Sequence, residues 1–248
     1  MKNELEMTLS SRRILTERLA REQITALSGF ADGLMRPDKC GEFEPIKTPF
    51  DPADISEPTQ WLADAQGSFF YRKGRPAHVA GQMWNRTLPP TSRFPSPAFS
   101  NYWTGQFDGK WAVRVGIEKV EDFVSVMFRA TDSDFSLLTT EVDRKAKNQG
   151  PGYYSYRGFD LASGIPGLYW INWFSDELAG WLGLEGLPKE LAESRRLPGG
   201  VSLKFCESPD RCRDIDVLQK QRVAIEWLGP NKFFDIREPD RKLDTPDW

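Results

Sequence analysis

The sequence predicts an α+β fold, in which a mainly antiparallel sheet carries four or five packed helices within one domain spanning residues 1–248. Three observations lead to this prediction. Nine Trp and sixteen Phe favour bulky strands, and eighteen Pro favour stiff connecting loops. Strand-like runs separated by short turns dominate the middle of the chain, whereas helical periodicity is confined to a few segments.

The N-terminal part, residues 1–35, is predicted to form a strand and a helix. Apolar and polar residues alternate up to residue 10, which is typical of a short edge strand. From Ser10 or Ser11 to near Gly33, apolar residues then fall on one broad helical face. Residues 36–60 are rich in Pro and Asp, and we expect a loop that wraps the domain.

A hairpin follows this loop. A short helix is predicted at residues 58–65, and strands at 68–72 and 77–84. The turn Lys73-Gly74-Arg75-Pro76 lies between the two strands, so we expect them to pair.

The next region is predicted to be an antiparallel meander. Residues 101–107, 111–118 and 123–130 form three strand-like runs, of which the second shows apolar residues at every other position. A helix capped by Asp132, Ser133 or Asp134 is then expected to run to about residue 147. A segment around residues 153–156, rich in Tyr, is expected to be a strand or an ordered loop.

Residues 164–186 are predicted to be the centre of the fold. The run 168–174 is aromatic and β-branched and lies between turn signals, which indicates a strand buried on both faces. Ser175 is a natural N-cap for the helix that follows, and Gly183 or Gly186 can end it.

The C-terminal part is predicted to continue the same architecture. We expect a helical turn at residues 188–194, a strand at 200–206 and a helix at 214–228. A last short strand is expected at Phe233-Phe234, before a loose charged tail at residues 238–248.

Composition bounds the possible partners. The 33 basic and 36 acidic residues give a net charge of −3, which argues against a nucleic-acid partner. No long apolar run predicts a membrane span, and the start of the chain does not resemble a signal peptide, so we expect a cytoplasmic protein. Three cysteines argue against a disulfide framework, although one Cys206–Cys212 bridge stays possible.

Catalytic and metal-binding patterns are missing from the sequence. The single histidine, His78, lies within a predicted strand, and Cys206 and Cys212 lack zinc-ligand spacing. Glycine-rich phosphate loops are absent too. We therefore expect a protein that is not an enzyme and needs no metal or cofactor.

An alternative is a carbohydrate-binding or carbohydrate-processing protein. Glu118, Glu121 and Asp122 lie at a predicted hairpin tip and could supply a carboxylate pair. Some of the many Trp and Tyr side chains could serve as stacking platforms.

Several aromatic stretches stand out along the chain: Pro166-Gly167-Leu168-Tyr169-Trp170-Ile171-Asn172, the helix ending Leu182-Gly183, Trp227-Leu228-Gly229-Pro230, Trp61-Leu62-Ala63 and Trp84-Asn85-Arg86. Together they resemble one family of proteins, the immunity proteins of bacterial polymorphic-toxin and type VI secretion systems. The resemblance implies a protein that binds a cognate toxin and neutralises it by occluding its active site. It implies no cofactor, no nucleic acid and no membrane.

The central unit also supplies the candidate partner-binding residues. Aromatic side chains can anchor an interface, and acidic side chains can steer a basic partner towards it. We therefore predict a rim that contributes to the toxin-binding surface, formed by Trp173, Asp176, Glu177, Trp181 and Glu185.

Overall fold

The computed structural model describes residues 4–85, 101–147, 164–235, 238 and 241–246. Ten strands form one sheet: β1 Leu5–Ser11, β2 Lys39–Gly41, β3 Thr48–Pro49, β4 Ser68–Lys73, β5 Val79–Asn85, β6 Asn101–Phe107, β7 Phe135–Thr140, β8 Ile171–Ser175, β9 Glu193–Leu197 and β10 Gly200–Lys204. The α-helices of the described ranges are α1 Glu17–Gly29, α2 Ser56–Ala63, α3 Gly109–Val115, α4 Ile117–Ala130, α5 Glu141–Lys147, α6 Asp176–Leu182 and α7 Ile215–Leu228.

The strand order is β3-β2-β4-β5-β6-β1-β7-β8-β10-β9, and every neighbouring pair is antiparallel. The predicted α+β class with a mainly antiparallel sheet is confirmed. The described part contains seven α-helices, where four or five were expected.

Two hydrophobic cores lie on opposite faces of this sheet. The first core lies under α1, α2 and α4 and contains the inward side chains of β1, β4, β5 and β6. The second core lies under α6 and α7 and contains side chains of β7, β8 and β10. Strand β8 contributes Trp173 to the first core and Phe174 to the second, so the predicted burial of the central strand on both faces is confirmed.

The predicted ends of the central helix are also confirmed. The Ser175 hydroxyl accepts a hydrogen bond from the Leu178 amide, 3.2 Å away, at the start of α6. Gly183 ends the helix in the left-handed conformation, with φ of 77°. Both signals are local, because each concerns residues within one helical turn.

The predicted strands 111–118 and 123–130 are wrong, since these residues form α3 and α4. The Asp108 carboxylate caps α3 by accepting from the Trp111 amide at 2.7 Å. Gly116, with φ of 101°, separates the two helices. The buried positions of α4 follow helical spacing: Val120, Phe123, Val124, Met127 and Phe128.

The predicted helix from residue 132 to about 147 is wrong in its first half. Residues 135–140 form β7, which pairs with β1 on one side and β8 on the other. All six side chains are buried. Pairing with two strands distant in sequence overrides the local helical pattern, and only residues 141–147 form a helix.

The N-terminal strand was predicted at an edge but lies near the middle of the sheet, between β6 and β7. The following helix begins at Glu17 rather than after Ser10 or Ser11, because Thr16 supplies the side-chain cap. The region predicted as a wrapping loop contains β2, β3 and the start of α2.

Two C-terminal predictions also need correction. The expected helical turn at 188–194 is a short turn followed by β9. Phe233 forms an isolated parallel bridge with Ile165 rather than a strand. In the predicted loose tail, Arg241 donates to the carbonyls of Pro230 and Phe233 at 2.9 and 2.8 Å. The segment 153–156 lies outside the described residues.

Candidate functional site

One face of the sheet changes between β1 and β7 from a polar surface to a hydrophobic core covered by helices. Cross-strand register places side chains of successive strands in rows on this face. On the β7 side the rows enter the second core, which α6 and α7 cover. On the β1 side they are polar or aromatic apart from Ala80, and three rows cross β4, β5, β6 and β1: Arg72-Ala80-Gln106-Glu6, Phe70-Gln82-Thr104-Thr8 and Ser68-Trp84-Tyr102-Ser10.

A cavity of about 430 Å³, here called the sheet groove, lies over these polar rows. Its floor contains Ala80 and the backbone of Gly81 and Gly105, which are opposite each other in β5 and β6. The loop between β2 and β3 contributes Glu44 and Ile46 to the lining. The other lining side chains come from the strands and from α5: Glu6, Thr8, Phe70, Gln82, Tyr102, Thr104, Gln106 and Arg144.

An ion pair with no net charge, formed by Glu6 and Arg144, lies at one wall of the sheet groove. The Arg144 guanidinium on α5 forms an ion pair with the Glu6 carboxylate through Nε, and its Nη2 lies 3.3 Å from Glu6 Oε1. The Gln106 amide donates to the same Oε1 at 3.4 Å. The Glu6 side chain is only 6% exposed, and a carboxylate so deeply placed needs such partners to remain charged.

The polar side chains of the middle row form no side-chain hydrogen bonds with other residues that the structure describes. Gln82, Thr104 and Thr8 lie side by side on three neighbouring strands, and none donates or accepts a side-chain hydrogen bond among the described residues. Phe70 ends this row, and its ring lies edge-on to that of Trp84 at a centroid distance of 5.4 Å. The sheet groove therefore offers free hydrogen-bonding groups next to a fixed aromatic ring.

The predicted partner-binding residues lie elsewhere, on α6 and beside it. Asp176, Glu177 and Glu185 are exposed and Trp181 is half-buried. Both acids of the first helical turn are paired: Asp176 with Arg196 of β9 at 2.9 Å, and Glu177 with Arg12 at 2.7 Å. Arg12 also pairs with Asp134 at 2.9 Å, so its single positive charge is shared between two carboxylates.

Two tryptophans lie close to these charges. The Lys232 ammonium lies 4.9 Å above the Trp181 ring and donates to the Trp181 carbonyl at 2.8 Å. Trp227 of α7 is 47% exposed, and its ring packs on Gly186, where an added Cβ would come within 2.6 Å. Together Asp176, Glu177, Trp181, Glu185 and Trp227 are called the α6 rim below.

Trp173 does not belong to the α6 rim. Its side chain is 1% exposed in the first core, and its indole N–H donates to the Ser125 hydroxyl of α4 at 3.0 Å. The prediction assigned Trp173 to the rim because it lies close in sequence to Asp176 and Glu177. In a strand, however, successive side chains point to opposite faces, and Trp173 points away from α6.

The histidine and the three cysteines singled out in the sequence are packed against other side chains and are buried or half-buried. The half-buried His78 ring lies parallel to the Trp111 ring at a centroid distance of 6.4 Å. Burial raises the pKa of the Cys40 and Cys206 thiols to about 11, and it also raises the pKa of Cys212. All three cysteines are free thiols, and raised pKa values disfavour the nucleophilic thiolate.

The three acids of the alternative prediction are not at a hairpin tip, because they lie on α4. Burial raises the pKa of Glu121. Two hydrogen bonds that Lys204 donates to its carboxylate, at 2.6 and 2.9 Å, oppose this rise. Glu118 and Asp122 are exposed. Within the described ranges, no three His, Cys, Asp or Glu side chains are grouped to hold a metal ion, and no helix is both long and apolar enough to cross a membrane.

The fold is similar to that of a type VI secretion system (T6SS) protein of Pseudomonas aeruginosa, PA0821. The two structures align with a TM-score of 0.62 over 91% of this chain and 77% of that chain, at 12% sequence identity. At this identity the likeness concerns the fold. No family model and no curated protein matches the sequence.

The residues that carry the sequence resemblance are mostly internal. Trp170 is fully buried and donates to the Cys206 carbonyl at 2.9 Å. The buried Asn172 side chain accepts from the Tyr169 amide at 3.0 Å and donates to the Tyr169 carbonyl at 3.1 Å, which fixes the entry into β8. These residues build the centre of the fold.

Proposed function

We propose that this protein is a non-catalytic, cytoplasmic immunity protein that binds a cognate toxin of a T6SS or related system and occludes its active site. One observation carries the proposal: the chain has the fold of a T6SS protein over 91% of its length. The sequence resemblance to immunity proteins supports it independently. Because most of the motif residues are buried, the resemblance bears mainly on the architecture, and the partner must be recognised through exposed side chains, among which Trp227 belongs to a motif stretch.

The α6 rim is the surface that we assign to toxin binding. Tryptophan is enriched among the residues that dominate binding energy, and Trp181 and Trp227 both retain exposed ring area. Each ring is held by its neighbours, Trp181 by Lys232 and Trp227 by Gly186. Rings that are already fixed lose little side-chain entropy on binding, which makes them effective anchors.

Charge contributes less to this surface than the sequence predicts. Asp176 is paired with Arg196, and Glu177 shares Arg12 with Asp134, so these arginines offset part of the field of the two acids. Glu185 forms no ion pair with another described residue. We therefore expect the tryptophans to set the dissociation rate and the acids to have a modest effect on association.

The test measures the affinity for the toxin encoded by the adjacent open reading frame. Trp227→Ala and Trp181→Ala should each weaken binding by about 30-fold, the effect of a typical hot-spot residue. Ile215→Ala is the matched control, because Ile215 is an exposed apolar residue of α7 that lies at the opposite end of the helix from Trp227. Unchanged affinity in both tryptophan variants, with folding verified by circular dichroism, would remove the α6 rim from the interface.

Charge reversal tests the electrostatic part separately. Asp176→Lys with Glu177→Lys should slow association, and the effect should be larger at low salt. It should also reduce stability, because Arg12 and Arg196 would face like charges. Glu118→Lys with Asp122→Lys makes the same charge change on exposed positions of α4, under the other face of the sheet, and should leave the association rate nearly unchanged.

A further inference from the structure

The sheet groove is a second candidate site, separate from the α6 rim. It is built on β4, β5, β6 and β1, whereas the rim lies on α6 and α7, which cover β8 and β10. The following inference does not depend on the proposed toxin binding.

We infer that the sheet groove binds a small, uncharged, hydroxyl-rich molecule of the size of one or two sugar units. Its volume of about 430 Å³ lies in the range of small-molecule sites, roughly 300–1,000 Å³. The unengaged side chains of Gln82, Thr104 and Thr8 each combine a donor with an acceptor. Sugar hydroxyls have the same dual character, so a row of such groups is complementary to them.

The charges at the sheet groove argue against an ionic ligand. Glu6 and Arg144 neutralise each other, and both the Nε and the Nη2 groups of Arg144 already face Glu6. The third charged lining side chain, Glu44, is exposed on the β2–β3 loop, where solvent screens its charge. An anion or a cation would have to break this deeply placed pair, which leaves one buried charge without a partner. A neutral ligand can instead accept or donate hydrogen bonds beside the pair without disrupting it.

The shape of the sheet groove argues against a protein surface as its occupant. Glu6 and Thr8 line the sheet groove yet are only 5% and 4% exposed, so a flat surface cannot reach them. Glu44 and Ile46 of the β2–β3 loop also line it and narrow the approach. A stable protein interface buries about 800 Å² per partner, for which this cavity is too small.

Phe70 supplies the apolar side of the site. Its edge-on contact with Trp84 fixes the ring at the end of the polar row. The C–H face of a sugar ring can pack on such an aromatic side chain while its hydroxyls reach Gln82 and Thr104.

The test uses glucose, N-acetylglucosamine, cellobiose and chitobiose as probes, with glycerol as a control for non-specific polyol effects. Binding is followed by the side-chain amide NMR signals of Gln82 and Gln106 in the full chain. We expect at least one saccharide to shift these signals in a saturable way, and glycerol to leave them unchanged. An absence of saturable shifts with all four saccharides, or an equal response to glycerol, overturns the inference.

Two variants connect any binding to the polar row. Thr104→Val removes the hydroxyl and keeps the shape, and it should weaken saccharide binding by about tenfold, the loss of one well-made hydrogen bond. Gln82→Leu should also weaken saccharide binding by about tenfold. It replaces Thr104→Val in this test if that variant does not fold. Thr48→Val, at an exposed position of β3, is the matched control. Unchanged saccharide affinity in both variants overturns the inference.

Discussion

Lys147, at the end of α5, holds three separate parts of the chain together. Its ammonium donates to Asp143 Oδ2 at 2.8 Å, to the Leu168 carbonyl at 2.9 Å and to Gln221 Oε1 of α7 at 2.9 Å. All three of its protons are therefore used. Asp143 is fully buried and also accepts from the Thr139 hydroxyl at 2.8 Å. Burial lowers the pKa of Lys147, and the Asp143 carboxylate opposes this effect.

Replacing Lys147 by Met keeps much of the volume and removes the charge. The Asp143 carboxylate would then stay buried with Thr139 as its nearest donor, since Arg213 is 3.8 Å away. Loss of one partner of a buried pair costs about 3–5 kcal/mol, which is a large share of the roughly 5–15 kcal/mol that stabilises a typical domain. The double variant Asp143→Asn with Lys147→Met removes both charges, so we expect it to be more stable than Lys147→Met alone.

Urea unfolding followed by circular dichroism measures these differences, with the m-value checked for constancy. Lys145→Met is the matched control on the same helix, because Lys145 is 64% exposed and pairs with Glu141 at the surface. That variant should cost no more than about 0.5 kcal/mol. The reasoning fails if Lys147→Met costs as little as Lys145→Met, or if adding Asp143→Asn destabilises it further.

Three further predictions concern reactivity and packing. Near pH 8, Cys40 and Cys206 should be alkylated about a hundredfold more slowly than an ordinary thiol, because burial raises their pKa to about 11. The alkylation rate should increase as the pH rises. A rapid reaction at pH 8, or a Cys206–Cys212 disulfide in fresh lysate, would contradict this prediction. Gly81→Ala should destabilise by about 1–3 kcal/mol, since its Cβ would collide with the Tyr71 hydroxyl and lie 2.6 Å from the Thr104 carbonyl oxygen. Gly180→Ala, in open space on α6, should instead stabilise the protein by roughly 0.5–1 kcal/mol. Equal unfolding temperatures of the Gly81→Ala and Gly180→Ala variants would refute this comparison. His78→Ala should keep toxin neutralisation, and its loss in a folded variant would overturn the non-enzyme proposal.

Short-range signals in the sequence predicted several elements correctly. Ser175 and Gly183 fix the ends of α6 through contacts within one turn, and the hairpin of β4 and β5 forms across the predicted turn. The strand β6 and the helix α7 lie where their patterns indicated. Such signals can be read from the chain because the interacting groups are only a few residues apart.

Longer-range pairing decided the elements that the sequence predicted wrongly. Residues 135–140 form a strand because β1 and β8 are available on either side, and no local pattern contains that information. The sheet groove has the same origin. The alternation of apolar and polar residues in β1 was visible in the sequence, but only the register of the sheet places Thr8, Gln82 and Thr104 in one row.

The sequence by itself thus determined the α+β class, the doubly buried central strand and the caps of its helix, because burial pattern and capping chemistry act locally. The tertiary structure alone decided which face each aromatic side chain occupies. It placed Trp173 in the core and left Trp227 at the surface, and it paired Asp176 and Glu177 with arginines from distant segments. Those outcomes depend on which strands and helices meet, and contacts between residues far apart in the chain are fixed only when the whole sheet has formed.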